Sequence, residues 1–173
     1  MRKMIDRARL AALCLVVVLG LAFAPGVRAD PYRLPKDGVP AFVVDAPAGW
    51  SVTYDNLGNL QFLAADHSAA IQVTMIALPA KSFALSDLAA NVFKAAGAPP
   101  YSATAPGSIA GRAGQAFTSM KSTQGLNLDL RLVLVKVDAT HTAGLAVIRR
   151  PGITAAQQAV LDDLVARVTL TEH

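Results

Sequence analysis

The chain has 173 residues, of which 53% are hydrophobic and 16% are charged, and its formal net charge is +4. The basic excess lies in residues 1–29, which hold five of the 16 Lys and Arg residues and one of the 12 Asp and Glu residues. The other 144 residues carry 11 charges of each sign, so we expect no nucleic-acid partner, which would require a basic surface on the folded domain.

The N-terminal segment has the features of a secretory signal peptide. Basic residues come first, Leu10–Ala24 is an almost unbroken apolar run, and Val27–Ala29 is a small-x-small end. We predict cleavage between Ala29 and Asp30, and a bacterial protein that is periplasmic or secreted. The alternative is an uncleaved anchor, but the apolar run is shorter than the roughly 20 residues that span a bilayer. After cleavage we expect no transmembrane segment.

The chain has one cysteine, Cys14, which lies inside the predicted signal peptide. Bacterial lipoprotein signals place a small residue before the cysteine, whereas Leu13 precedes Cys14 here. We therefore expect a mature protein without a lipid anchor, disulfide, thiol nucleophile or thiolate metal site. Packing has to stabilise it, and a domain of about 150 residues can bury roughly two-thirds of its unfolded surface.

The first part of the mature chain divides into a leader and the start of a domain. Residues 30–40 are rich in proline and lack periodicity, which predicts a flexible leader before a single domain at 41–173. Phe42–Val44 and the alternating stretch Trp50–Tyr54 are predicted to be the two strands of a hairpin, joined by a turn at Pro47–Gly49. Trp50 is expected to anchor the core and fix the register.

Two further strands and a helix follow in the predicted order. Residues 60–63 are expected to pair with the Trp50 strand across the loop 55–59, and residues 71–78 form the next strand. A helix then begins near Ser82 or Ser86, either of which could cap it, and ends at Gly97. Its apolar stripe, which we expect to lie against the sheet, is Leu85, Leu88, Ala89, Val92, Phe93 and Ala96.

The rest of the chain is predicted to be four strands and a second helix. The strands lie within 101–109, 115–121, 126–137 and 144–148, and their succession as hairpins predicts antiparallel pairing. Thr154 and Gln157 have the spacing of a capping box at the start of the helix, and Asp163 and Arg167 can pair on its outer side. The predicted buried stripe is Val160, Leu161, Leu164, Val165 and Val168.

These patterns resemble those of the PsbP-like fold family, which includes exported bacterial proteins of the DcrB type. The resemblance is carried by Phe42, Pro47, Gly49 and Trp50, by the hairpin residues Tyr54, Gly58, Leu60 and Phe62, and by a C-terminal helix that ends in Val168-Thr169-Leu170. It implies an α+β single domain, in which an antiparallel sheet of about seven or eight strands is flanked by two helices. It also implies a binding or assembly role without a catalytic centre, and no family ligand residue can be carried over.

Residues that could carry chemistry are few, and most have a plain structural interpretation. Asp66 and His67 are neighbours that point apart in an extended segment, so we expect no metal site there. His141 lies in a polar strand connection, and Arg149 and Arg150 are a local basic pair that could bind an acidic partner or a phospholipid headgroup. We take these five as candidate partner-binding residues, and we predict no catalytic residue and no cofactor.

The leading hypothesis is an exported, non-catalytic binding or assembly factor for an envelope protein complex, with another envelope protein as its partner. The alternative is a periplasmic small-ligand carrier or hydrolase whose site lies between the sheet and the first helix. These hypotheses make different demands on His67 and His141, because only a hydrolase needs such side chains for turnover.

Overall fold

The computed structural model of the protein describes residues 31–77, 83–123 and 125–171. Over these ranges the chain forms ten strands and two helices, and this α+β arrangement confirms the predicted fold class. The strands are β1 Tyr32–Leu34, β2 Ala41–Val44, β3 Ser51–Tyr54, β4 Leu60–Leu63, β5 Ala69–Ala77, β6 Ala103–Ile109, β7 Arg112–Thr123, β8 Leu126–Lys136, β9 His141–Arg149 and β10 Thr169–Thr171. The helices are α1 Leu85–Ala95 and α2 Ala155–Arg167, and neither described helix is long and apolar enough to cross a membrane.

Most of the strands belong to one antiparallel sheet, which we call the large sheet. Its strand order within the described residues is β3-β4-β5-β9-β8-β7-β6. Neighbours in sequence pair as the hairpin patterns predict, while β5 pairs with the distant β9 from Ala69↔Arg149 to Ala77↔His141. That long-range pairing joins the first half of the chain to the second and puts β9 in the middle of the sheet.

Strand β8 is buried on both of its faces. Leu132 and Leu134 belong to the apolar cluster that contains α1, whereas Val133 and Val135 belong to the cluster that contains α2. Successive residues of a strand point to opposite faces, so the helices lie on opposite sides of the large sheet. The even-numbered leucines Leu128, Leu130, Leu132 and Leu134 all lie on the face that α1 covers.

Helix α1 packs over β7 and β8. Its buried residues, Ala89 and Phe93, contact Phe117 and Leu132 in one apolar cluster. The alternative hypothesis placed a ligand site between the sheet and this helix, but the structure fills that space with these side chains. The predicted helix stop at Gly97 is confirmed, since Gly97 adopts a φ of +64° directly after the C-cap.

The start of α1 differs from the prediction. Ala84 occupies the N-cap position and no side chain caps the helix. Ser86 lies inside the first turn, so its predicted capping role is wrong, while Ser82 lies outside the described residues.

Helix α2 begins with the capping box that the sequence predicts. The backbone N–H of Gln157 donates to Thr154 Oγ1 at 3.2 Å, and the backbone N–H of Thr154 donates to Gln157 Oε1 at 2.7 Å. Asp163 and Arg167 form the predicted ion pair one turn apart. The two capping-box hydrogen bonds satisfy backbone donors that would otherwise be unpaired at the helix start.

The apolar face of α2 is narrower than predicted. Leu161 and Leu164 are each 1% exposed and Val168 is 2% exposed, but Val160 is 39% exposed and lies outside the buried stripe. The helix ends at Arg167, and the residues Thr169–Thr171 form β10, so the predicted continuation of the helix to Leu170 is wrong.

A second, small sheet consists of β1, β2 and β10, with β2 in the middle. Its existence corrects the predicted hairpin, because β2 pairs with β1 and β10 and not with the strand that follows Trp50. The turn at Gly49 therefore leads the chain from one sheet to the other. Trp50 is half-buried against the apolar cluster that contains α2. It does not fix the register of the predicted hairpin, because that hairpin does not form.

Part of the predicted flexible leader is regular structure. Leu34 of β1 is 4% exposed, and the ring of Tyr32 stands edge-on to Phe62 with the centroids 6.1 Å apart. The Tyr54 hydroxyl also donates to the carbonyl oxygen of Arg33 at 2.8 Å. The predicted flexible leader at 30–40 therefore contains a strand, which packs against the large sheet although its sequence lacks periodicity.

Replacing Leu164 with Ala should lower the free energy of unfolding by about 2–5 kcal/mol, because it opens a cavity in the core under α2. Chemical denaturation of the full chain measures this change. Val160→Ala is the matched control on the same helix, and its exposed position predicts a change within about 0.5 kcal/mol. Equal effects of the two substitutions would contradict the assigned orientation of α2.

Candidate functional site

The five candidate partner-binding residues lie at two opposite ends of the large sheet. Asp66 and His67 are in the turn before β5, and Arg149 ends the neighbouring β9 and is followed by Arg150. His141 is at the start of β9, opposite Ala77, so it lies eight residues or about 27 Å along the strand from Arg149. Four of the five residues therefore share one end of the sheet, and His141 does not.

Asp66 connects the β4–β5 turn to helix α2. Its carboxylate accepts hydrogen bonds from the backbone N–H of Ser68 at 2.9 Å and from Gln157 Nε2 at 2.5 Å. Hydrogen bonds from the side chain and backbone of Ser68, and from Gln157, hold the pKa of Asp66 below its usual value. Asp66 thus has an internal role in holding α2, and His67 beside it adopts a positive φ of 55° in the turn.

Arg149 belongs to a polar network that joins the sheet to α2. Its Nε lies 3.4 Å from Asp129 Oδ2 on β8, and its guanidinium also donates to the side-chain oxygen of Gln158 on α2. Gln158 Nε2 in turn donates to Asp162 Oδ1 at 2.8 Å. We call Asp129, Arg149, Gln158 and Asp162 the bridging network. Arg150 is exposed beside it, and its backbone N–H donates to the carbonyl oxygen of Ser68 at 2.9 Å.

At the other end of the sheet His141 pairs with Asp138. The distance from His141 Nδ1 to Asp138 Oδ2 is 2.8 Å, and Asp138 Oδ1 accepts from the backbone N–H groups of Thr140 and His141 at 2.6 and 2.7 Å. The Thr140 backbone hydrogen bond is the largest cause that holds the pKa of Asp138 well below its usual value, with the His141 side chain adding to it and partial burial opposing it. The pair fixes the imidazole through Nδ1.

His141 lines an open cleft of about 660 Å³ between the β1–β2 connection and the β3–β4 loop. Asp55 organises this loop, since its carboxylate accepts from the N–H groups of Leu57 and Asn59 and from the side-chain amides of Asn59 and Gln72 at 2.8–3.2 Å. These donors occupy the Asp55 oxygens. Within the residues that the structure describes, no group of three His, Cys, Asp or Glu side chains could hold a metal ion.

A third feature was missed by the sequence interpretation: a groove of about 550 Å³ between α2 and the large sheet, which we call the α2 groove. Val133, Leu145 and Val147 form its apolar floor, and Leu161 and Val165 of α2 form one wall. Its rim is mostly polar and includes the bridging network, Arg131 and Thr118 of β7, and Met120 of β7 adds one apolar side chain.

The sequence does hold a signal for this groove. Along the odd-numbered face of β8 the residues change from Asn127, Asp129 and Arg131 to the buried Val133 and Val135. A change from polar to apolar along one face indicates that a covering element reaches only part of that face. Helix α2 covers the valine half, and the groove opens where its cover ends.

Comparisons with known proteins establish a shared fold. No protein-family model and no curated protein matches the chain. Among solved structures the chain is similar to LpqN of Mycobacterium tuberculosis, which is described as involved in cell envelope biogenesis; the TM-score is 0.54 and the identity 13%, over 82% of this chain and 89% of LpqN. It is also similar to a protein of Bacteroides thetaiotaomicron VPI-5482, with a TM-score of 0.53 and 13% identity over 76% of this chain. The chain spans 46% of that protein's length.

Replacing Asp138 with Asn should destabilise the protein at neutral pH and have less effect in acid. The folded-state pKa of Asp138 is lowered from 3.8, so the carboxylate stabilises the fold above about pH 3.8 and this contribution is lost as the pH falls through the folded-state pKa. Denaturant midpoints of the two proteins at pH 7, 5 and 3 measure the difference.

The matched control is Asp45→Asn, which alters an exposed carboxylate that accepts no hydrogen bond within the described part of the chain. Its midpoint should follow that of the wild type at each pH. A wild-type advantage over Asp138→Asn that grows as the pH falls would contradict the assignment.

Proposed function

We propose that the protein is an exported, non-catalytic binding factor of the bacterial cell envelope, and that the α2 groove receives a component of an envelope complex. The observation that carries the proposal is the groove itself, where the apolar floor of Val133, Leu145 and Val147 is surrounded by polar groups. Concave sites with an apolar lining and a few convergent polar groups are the usual form of a binding site in proteins.

The construction of the groove supports a binding role, because its walls are fixed by contacts within the chain. The bridging network holds α2 against β8 and β9, and Asp66 holds the start of the helix through Gln157. A preformed site loses little conformational entropy when its ligand binds. Arg149 therefore acts as a positioning residue in this proposal, while Arg150 and His67 offer polar contacts at the adjoining end of the sheet.

Two observations support export and a role in the cell envelope. The basic start, apolar run and small-x-small end of residues 1–29 have the pattern of a signal peptide, although these residues lie outside those that the structure describes. LpqN, which has a similar fold, is described as involved in cell envelope biogenesis. We further propose that the chain is related to the PsbP-like proteins that its turn and hairpin residues resemble, and that its partner is another envelope component.

A hydrolase is the second candidate, and the Asp138–His141 pair is the observation in its favour. The pair orients the imidazole as a general base requires, with Nδ1 held by the carboxylate. Among the described residues that line the cleft beside His141 there is no Ser, Thr or Cys that could act as a nucleophile, and the neighbouring Thr140 hydroxyl donates to Asp138 Oδ1 at 2.9 Å. We therefore rank it below the binding factor. An ester-hydrolysing activity that disappears in His141→Ala without a change in melting temperature would favour the hydrolase.

Photo-crosslinking from the groove tests the leading proposal. A photoreactive residue at Met120, which is 56% exposed on the groove rim, should crosslink to an envelope component when the full chain is expressed in its own host. The matched control position is Leu57, which is 77% exposed in the β3–β4 loop at the other cleft. Crosslinks from Leu57 alone would place binding at the wrong site and contradict the proposal.

A further inference from the structure

The two arginines that line the α2 groove differ in their contacts with the rest of the chain. Arg149 contacts both Asp129 and Gln158, whereas Arg131 forms no hydrogen bond or ion pair with any residue that the structure describes. Arg131 is exposed on the groove side of β8, directly after Asp129 on that face and before the buried Val133. The groove therefore has an unpaired cation at the border between its polar rim and its apolar floor.

The cross-strand neighbours of Arg131 are one polar and one apolar residue. Arg131 pairs with Thr118 of β7 on one side and with Val147 of β9 on the other. Directly opposite residues in antiparallel strands have Cβ atoms about 4.5–5.5 Å apart, so Thr118 and Val147 flank the base of the arginine on the groove face. A guanidinium matches a carboxylate, which accepts two parallel hydrogen bonds from Arg.

Apolar surface continues from Arg131 along the groove. Val147 of the floor and Val165 of the wall are only half-buried, and Met120 on the rim is 56% exposed. Leu145 in the floor and Leu161 in the wall are buried beside them. Met is flexible and adapts to irregular apolar ligands, so a single hydrocarbon chain would cover this strip and remove it from water.

We infer that the α2 groove binds a long-chain carboxylate, a single-chain fatty acid whose headgroup pairs with Arg131 and whose chain lies over Val147 toward Val165. The inference rests on the proposed function and specifies what enters the groove. Both rim carboxylates have partners within the chain, since Asp129 pairs with Arg149 and Asp162 accepts from Gln158 on the helix side. A groove of about 550 Å³ is within the range of small-ligand sites in proteins.

Binding of dodecanoate and of its uncharged methyl ester to the delipidated full-length protein tests the inference by calorimetry and native mass spectrometry. We expect one dodecanoate per chain, bound at least about tenfold more tightly than the ester, because an Arg–carboxylate hydrogen bond is a charge-assisted one. In Arg131→Gln the preference for the carboxylate should fall to about one. Arg131→Lys should keep part of it, since the charge remains but the planar fork is lost.

The matched control is Arg33→Gln, which removes the same charge from an exposed arginine of β1 outside the α2 groove and should leave the tenfold preference unchanged. Val147→Ser should weaken both ligands to the same degree. Melting temperatures of the arginine variants should equal that of the wild type without ligand, whereas Val147→Ser should melt at a lower temperature because it removes apolar contacts of the core.

Three outcomes would overturn the inference: no binding of dodecanoate, equal binding of acid and ester, or loss of the preference in Arg33→Gln with retention in Arg131→Gln. These outcomes are separable from failure of the proposed function. A Met120 crosslink to an envelope protein, together with absent dodecanoate binding, would keep the binding factor and identify a peptide segment as the occupant. A crosslink between two copies of the chain would identify a second copy as the occupant.

Discussion

The burial of β8 on both faces is the constraint on which the rest of the structure depends. Leu132 and Leu134 need a cover on one side and Val133 and Val135 need one on the other, and a single helix cannot supply both. The chain meets this demand with α1 and α2 on opposite sides of the large sheet. Because β8 pairs with β7 and β9, the same constraint fixes which faces of its neighbours are buried.

Local patterns in the sequence were sufficient to identify both helices and most strands. The capping box at Thr154 and the stop at Gly97 depend on neighbours in the chain, so their chemistry is readable without a fold. Strand partners are different, because a period of two shows that a strand exists and says nothing about what it pairs with. For this reason β2 was paired with the wrong strand, and β1 and β10, each of three residues, were missed.

The candidate site shows the same division between local and long-range information. The sequence singled out Asp66 and Arg149 for their charge, and both residues do lie at one end of the sheet. Their partners, Gln157 and Asp129, are 91 and 20 positions away in the chain, so the internal contacts that define their roles could not be read locally. His141 lies at the opposite end of the sheet from Asp66, and this follows from the β5–β9 pairing, which local sequence patterns do not reveal.

The α2 groove follows from how the double burial of β8 is achieved. Helix α2 is anchored in its first turn, by Asp66 through Gln157 and by Arg149 through Gln158, and its apolar stripe contains Leu161 and Leu164 but not Val160. A helix with so narrow a stripe covers only part of the sheet face, and the uncovered part begins where β8 changes from valine to Arg131. An unpaired cation beside apolar surface is a natural result of this boundary, since the fold needs no partner for an exposed arginine. That freedom makes Arg131 available to a ligand, whereas Arg149, which is engaged in holding the helix, is not.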